Sequence, residues 1–321
     1  VNLRDLQYLV AVADERHFGR AADACHVSQP TLSGQIRKLE ERLGVPVFER
    51  TSRSVSTTPA GEDIIECARR VMAEVERIEA IADARRDPLA APLRLGVIPT
   101  LSPYLMPLLL RPLRERYPTL KLVLTEEVTD SLLRRLKSHE IDAALLATAP
   151  GDPALAETAL FDEPFWIAHT LDDPLYEIEE IDLEALRGRE LLLLADGHCL
   201  SDQVSDLCGR PETNGEFADF RASSLETLLQ LVGAGFGCTL VPALAIGGPW
   251  MTDLGVVARP LDLPGASRRV RLVHRRSFPN LHVLDALREV VLGRLPNTVR
   301  KAPGAGGGKP LPPGTTAPAG A

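Results

Sequence analysis

The chain has 321 residues, is 45% hydrophobic and 25% charged, and carries a formal net charge of −8. That length gives room for two or three domains with sizeable cores. No apolar run approaches the ~18 residues of a spanning helix, and no secretory leader is read at the start, so the expected address is the cytoplasm, with no membrane partner. Five cysteines, an odd count in a long chain, predict thiols rather than a disulfide framework. The acidic balance argues against blanket affinity for nucleic acid, but it is uneven. Through Thr58 there are eight Lys/Arg against seven Asp/Glu, and the rest of the chain holds the acidic excess.

Leu3, Leu6, Leu9, Val10 and Val12 begin an amphipathic helix, and Phe18, Ala21, Ala22 and Cys25 sit on a second. After a turn at His26-Val27, Ser28 is a good N-cap, with Pro30 in the first turn where its missing N–H costs nothing. The third helix runs through Thr31, Leu32, Ile36, Leu39 and Leu43 to Gly44. Helix, short turn, helix with small polar residues at its start is a helix-turn-helix arrangement. Val45–Phe48 and Val55–Thr57 read as a two-stranded wing with a basic tip. Gln29, Pro30, Thr31, Ser33 and Gln35 are placed for base edges, thymine methyls or phosphates, and Arg37, Arg50 and Arg53 for phosphates or the minor groove. This predicts a DNA-binding domain over 1–58.

Residues 59–88 read as one long helix. Ile64, Ala68, Val71, Val75, Ile78 and Ala82 recur at spacings of four and three, a narrow seam that one helix alone cannot bury. It is expected to join two DNA-binding heads, as twofold-symmetric operators require.

From Leu93 onward, short apolar runs alternate with helical patterns, which argues for a parallel sheet with helices on both faces. The chain leaves a first lobe (89–163 and 269–297) near residue 163 and returns near 270, with 164–268 as a second lobe. The fold class is therefore α/β with an all-α winged helix-turn-helix N-terminal domain and a two-lobed regulatory region. Thr100 and Ser102, between a strand and a helix, and Thr129, opening the next helix, suit either an anion in the cleft or simple N-capping. After Thr298 the composition collapses to Ala, Pro, Gly and Thr, so 298–321 is expected to be a disordered tail.

The most informative stretch is Gly197–Cys208, Gly-His-Cys-Leu-Ser-Asp-Gln-Val-Ser-Asp-Leu-Cys. An apolar run, Leu191–Ala195, leads into a turn at Asp196-Gly197, and Leu200, Val204 and Leu207 then recur at helical spacing. Cys199 is expected to open this helix and Cys208 to close it, with Gly209 as the stop. Nine helical steps separate the two cysteines by ~13.5 Å, whereas a disulfide needs Cα atoms within roughly 4.4–6.8 Å. The helix and the disulfide are mutually exclusive. Both thiols are either inert core residues or a peroxidatic and resolving pair, in which a second thiol captures a sulfenic acid. The helix N-terminus and the imidazole of His198 both favour thiolate at Cys199.

Phe18-Gly-Arg-Ala-Ala-Asp-Ala-Cys-His-Val-Ser-Gln-Pro-Thr-Leu-Ser, Phe48-Glu-Arg-Thr-Ser-Arg, Gly197-His-Cys-Leu, Ala222-Ser-Ser-Leu-Glu-Thr-Leu and Leu240-Val-Pro-Ala-Leu-Ala together resemble the LysR-type transcriptional regulators, and within them a hydrogen-peroxide-sensing subfamily. The resemblance implies homodimers assembled into homotetramers, with a periplasmic-binding-protein-like regulatory domain. It implies Cys199 as the peroxidatic thiol and Cys208 as the resolving one, their disulfide changing the footprint on promoter DNA. Thr100, Thr129 and His198 match positions that hold peroxide and water, Asp202 one that assists oxidation, and Arg269 is the candidate cation beside the thiolate. RNA polymerase and a thiol-disulfide reductant are implied as further partners. Ser201 stands where the family often has Arg. No cofactor or metal motif is read, and the competing expectations are a metabolite-binding LysR-type regulator and a thiol peroxidase.

Overall fold

The computed structural model describes residues 1–50, 55–84, 89, 91–186, 189, 191–209, 221–246, 254–261 and 263–305. The chain forms two compact units, Val1–Arg86 and Asp87–Ala321.

In the first unit α1 (Leu3–Glu15) starts with a capping box between Asn2 and Asp5, and α2 (Phe18–Ala24) is capped by His17, whose Nδ1 accepts the N–H groups of Gly19 and Arg20. His26, in the left-handed region at φ 54°, makes the tight turn to α3 (Gln29–Leu43). Ser28 caps α3 by accepting from the Thr31 N–H, and Gly44 ends it at φ 72°. Leu9, Val12, Ala21, Leu32 and Ile36 meet in a closed core. The wing strands β1 (Phe48–Arg50) and β2 (Val55–Thr57) are antiparallel. β1 begins later than its apolar pattern suggests, because Glu40 Oε1 accepts the N–H groups of Val47 and Phe48.

The helix α4 (Pro59–Ala84) belongs to this unit. A Cβ at Gly61 would sit 2.1 Å from the Val47 carbonyl oxygen, so only glycine lets α4 approach the wing. Ile65 and Ala68 join the core, and Arg69 pairs with Asp14 of α1. Further along, Val71 and Ile78 of the predicted seam are 39% and 68% exposed.

The second unit has two hydrophobic cores, one per lobe. In lobe I, β3 (Leu93–Val97) pairs in parallel with β4 (Leu122–Glu126) and β5 (Ala143–Leu146). The helices α5 (Ser102–Arg116) and α6 (Thr129–Lys137) link them. The sheet is mixed rather than parallel as expected: β11 (Ser267–Arg275) is antiparallel to β5 and to β6 (Leu155–Thr170). The two strands carry the chain out of lobe I and back, so they run in opposite directions. β6 is continuous through both cores, with Leu160 and Phe161 in the first and Phe165, Ile167 and Ala168 in the second.

Lobe II adds a short helix α7 (Leu183–Leu186), β7 (Leu193–Leu194), α8 (Cys199–Cys208), β8 (Arg221–Ala222), α9 (Leu225–Gly233), β9 (Thr239–Pro242) and β10 (Val256–Pro260). β9 and β10 flank the second half of β6, and β7 pairs in parallel with β8. The chain returns to lobe I for α10 (Leu281–Arg294).

The tail expectation fails in its first part. β12 (Arg300–Lys301) pairs with Phe161 and Asp162 of β6, and Val299, Ala302 and Ala305 are buried. Small apolar side chains and free backbone donors suit a vacant strand edge, whatever their low complexity. Residues 306–321 of the expected tail lie outside the described residues. Among the described residues no helix is long and apolar enough to cross a membrane.

Candidate functional site

The helix α8 begins at Cys199, ends at Cys208 and stops at Gly209, at φ 77° and ψ 158°, as its sequence pattern predicts. Its faces divide between the lobes. Leu200 and Val204 are buried in the lobe II core with Cys208 packed partly against it, whereas Cys199 joins the lobe I core. Both cysteines are free thiols at opposite ends of one helix.

Cys199 lies in a recess whose walls come from both lobes: Ile98, Pro99, Thr100, Val128 and Thr129 on one side, Gly197 and His198 on the other. The recess has no room for a water-sized molecule. Three residues singled out from sequence, Thr100, Thr129 and His198, thus meet at the thiol. Neither threonine caps a helix. The N-cap positions of α5 and α6 fall on Leu101 and Val128, neither with a side-chain cap bond. The hydroxyl of Thr100 instead accepts a hydrogen bond from Arg268 Nη1 at 2.8 Å, which leaves its own hydrogen available to donate. Thr129 Oγ1 is buried without a full hydrogen bond, though near enough to the Cys199 sulfur to favour thiolate. His198 bonds the backbone of Ser223 through its ring, while its Nδ1 is buried without a partner. Ser201 is buried and places no charge here.

The structure corrects three expectations. The first concerns the cation. Arg269 points to solvent and forks onto Asp162 at 2.7 and 2.9 Å, while its neighbour Arg268 is buried beside the site. Arg268 Nε bonds Glu163 at 2.8 Å, and its other nitrogens hold the hydroxyl and carbonyl of Thr100. Adjacent residues on a strand face opposite sides, and Arg268 shares the inward phase of Val270 and Leu272. The second is Asp202. It is exposed, does not line the recess, and its charge opposes thiolate formation at Cys199.

The third is the thiolate itself. Burial pushes the Cys199 thiol above the usual range, and the charge of Asp202 adds to the rise. The charge of Arg268, the Thr129 hydroxyl and the residue's own backbone N–H offset only part of this. Nor does His198 supply a cation, because burial lowers its pKa and favours neutral imidazole. Burial thus favours the protonated form of the Cys199 thiol and shields it.

In the first unit, Gln29, Pro30, Thr31 and Arg37 are exposed on α3, opposite the buried Leu32, Ile36 and Leu39. Ser33 and Gln35 are half-buried, and the hydroxyl of Thr31 lies 2.8 Å from that of Ser28. The side chain of Arg50 and all of Arg53 lie outside the described residues.

A reader helix beside a wing, joined to a two-lobed α/β unit, defines a bacterial transcription regulator, and the chain belongs to the LysR family. Residues 3–62 match the helix-turn-helix domain of bacterial regulatory proteins of the lysR family, and residues 86–296 match the LysR substrate binding domain. The chain is 44% identical over 295 residues to the DNA-binding transcriptional dual regulator OxyR of Escherichia coli, covering 92% of this chain and 96% of that protein. It is similar to a full-length OxyR variant from Pseudomonas aeruginosa at TM-score 0.77 and 36% identity, covering 94% and 98% of the two chains. An H2O2-bound OxyR mutant from Corynebacterium glutamicum matches at TM-score 0.62 and 36% identity, covering 91% and 92%.

Arg268 and Glu163 were not singled out from sequence, although the alternation of β11 carries the signal for Arg268. The contribution of Gln203, whose Nε2 donates to the Ala147 carbonyl of lobe I at 3.0 Å, has no such pattern behind it.

Proposed function

We propose that the chain is a hydrogen-peroxide-sensing transcription regulator whose switch is the pair Cys199 and Cys208. The observation that carries this is the convergence of Thr100, Thr129 and His198 on a buried thiol, with the second thiol at the far end of the same helix. Cys199 gives up its proton, the thiolate attacks one peroxide oxygen, the O–O bond breaks, and the departing hydroxide takes up the proton the thiol released and leaves as water. The Thr100 hydroxyl, which accepts from Arg268 and lines the recess, is the proposed hydrogen-bond donor to that leaving oxygen. The product is a sulfenic acid on Cys199. The Cys208 thiol then attacks that sulfur, a disulfide forms, and water leaves.

That second step needs α8 to unwind, since its helical rise holds the sulfurs apart. Unwinding withdraws Leu200 and Val204 from the lobe II core and breaks the Gln203–Ala147 bond between the lobes. Rearrangement at one thiol thus reaches the lobe surfaces. A two-electron dithiol reductant resets the switch.

Gln29, Pro30, Thr31, Ser33, Gln35 and Arg37 on α3 read promoter DNA in this account, with Arg50 and Arg53 of the wing. The chain works as a homodimer or homotetramer. Supporting this are the exposed Val71 and Ile78 of α4 and the exposed Leu108, Leu110, Val123 and Leu124 of lobe I. Contact with RNA polymerase and a cytoplasmic address complete the reading. The test is Cys199→Ser in the full chain. It is expected to bind promoter DNA as the parent does and to give one footprint with or without peroxide. A footprint that still changes with peroxide would remove Cys199 from the mechanism.

A further inference from the structure

We infer that the hydrogen bond between Tyr104 and Glu226 is the latch that controls access of small oxidants to Cys199. The inference rests on the peroxide-sensing reading for its biological meaning, but the latch itself is a statement about access.

The recess at Cys199 is closed to a water-sized molecule, and hydrogen peroxide is larger than water. A reactant reaches the sulfur only if the walls part, and those walls belong to different lobes. Thr100 and Thr129 are on lobe I, and Gly197 and His198 on lobe II. Tyr104 lies in the first turn of α5, four residues beyond Thr100 in the chain. Its ring reaches across to pack on the lobe II core. Its hydroxyl donates to Glu226 Oε1 at 2.8 Å. Glu226 lies in the first turn of α9, three residues after Ser223, whose backbone holds the His198 ring. The bond therefore joins the segment that follows one recess wall to the segment that holds the other.

Among the described residues, Gln203, the Leu244 N–H and Arg268 also bond from lobe II to lobe I, and Arg268, at Thr100 itself, sits on the crossover strand β11. Gln203 to Ala147 belongs to α8, the element that itself rearranges. The bond from the Leu244 N–H to Glu163 falls on the crossover strand β6, which is common to both lobes. None of these ties the Thr100 side to the segment that holds His198, as the bond from Tyr104 to Glu226 does. Burial and the neighbouring Glu226 carboxylate push the Tyr104 phenol well above its ordinary range, so at neutral pH it keeps the proton it donates.

Tyr104→Phe keeps the packed ring and deletes only the bond. In the reduced full-length protein, alkylation of Cys199 by iodoacetamide and its oxidation by peroxide are followed by mass spectrometry of the Cys199 peptide. Both rates are expected to rise about ten- to a hundredfold, the effect of removing a hydrogen bond to a charged acceptor, with the pH midpoint of alkylation unchanged. Cys238, buried in the lobe II core, reports general loosening and is expected to label as slowly as before. Glu226→Gln, which leaves Tyr104 in place, is expected to accelerate Cys199 in the same direction and carries the test if Tyr104→Phe does not fold. An unchanged or slower Cys199, or a Cys238 that accelerates equally, would overturn the latch. If iodoacetamide reacts faster in the variants but peroxide reacts with Cys199 in none of the proteins, the latch stands and the sensing function falls.

Discussion

Replacing Arg268 with Gln removes a cation whose side chain and whose partner Glu163 are both 0% exposed. The Glu163 carboxylate is left in the interior with the Leu244 N–H, at 2.8 Å, as its remaining donor among the described residues. Breaking a buried pair from one side costs about 3–5 kcal/mol. For a regulatory unit of this size that lowers the thermal midpoint by roughly 10 °C. The thiol also loses the charge that most lowers its pKa, so its alkylation midpoint moves upward and its reaction with peroxide at pH 7 slows. Arg269→Gln is the control. Its guanidinium is solvated and pairs with Asp162 at the surface, so neither the thermal midpoint nor the thiol is expected to move. Combining Arg268→Gln with Glu163→Gln removes both charges and is expected to recover much of the lost stability while leaving the thiol slow. Differential scanning calorimetry and the pH profile of Cys199 alkylation read the two effects separately. A slowed thiol in Arg269→Gln, with a normal one in Arg268→Gln, would refute the assignment.

Further outcomes follow from the same structure. Because the thiolate is the nucleophile and burial raises the Cys199 pKa, the initial oxidation rate is expected to climb about tenfold from pH 7 to 8. A plateau across that range would mean the thiol is already ionised, and His198, neutral there, is expected to add no inflection. Gly209 ends α8 at φ 77° and ψ 158°, a region glycine alone enters freely, so Gly209→Ala strains the helical state by about 1–3 kcal/mol. The disulfide form is thereby favoured, and a redox titration should read a midpoint more negative by about 20–60 mV. Val71→Glu with Ile78→Glu places charges on the exposed seam of α4. If α4 is the dimer seam proposed above, this pair of charges should lower the mass read by light scattering to that of a single chain and weaken promoter binding about a hundredfold.

Much of the site is legible in the sequence because its elements are short and strongly punctuated. Asp196-Gly197 and Gly209 bracket an apolar repeat, so both ends of α8 follow from turn chemistry and helical period. Thr100 and Thr129 follow from strand-to-helix boundaries. What the sequence hides is phase and depth. Arg268 and Arg269 look equivalent until the pairing of β11 with β6 sets which one faces inward. A helix N-terminus predicts an acidic thiol at Cys199, but its burial between two lobes comes from residues far away in sequence, and that desolvation prevails. The length of β6 is concealed because Pro164 interrupts its apolar pattern, yet that residue pairs with Ser267 at the end of β11, where a missing N–H is tolerated. Residues 299–305 are too poor in large side chains to signal order, and it is the unpartnered edge of β6 that recruits them.

The most direct test of the central claim is a non-reducing peptide map of the reduced full-length protein before and after one equivalent of hydrogen peroxide. The account predicts a Cys199–Cys208 cross-link that forms within the reaction, with Cys25, Cys67 and Cys238 still free. Persistence of both thiols, or oxidation of Cys199 that never captures Cys208, would contradict the helix-to-disulfide switch.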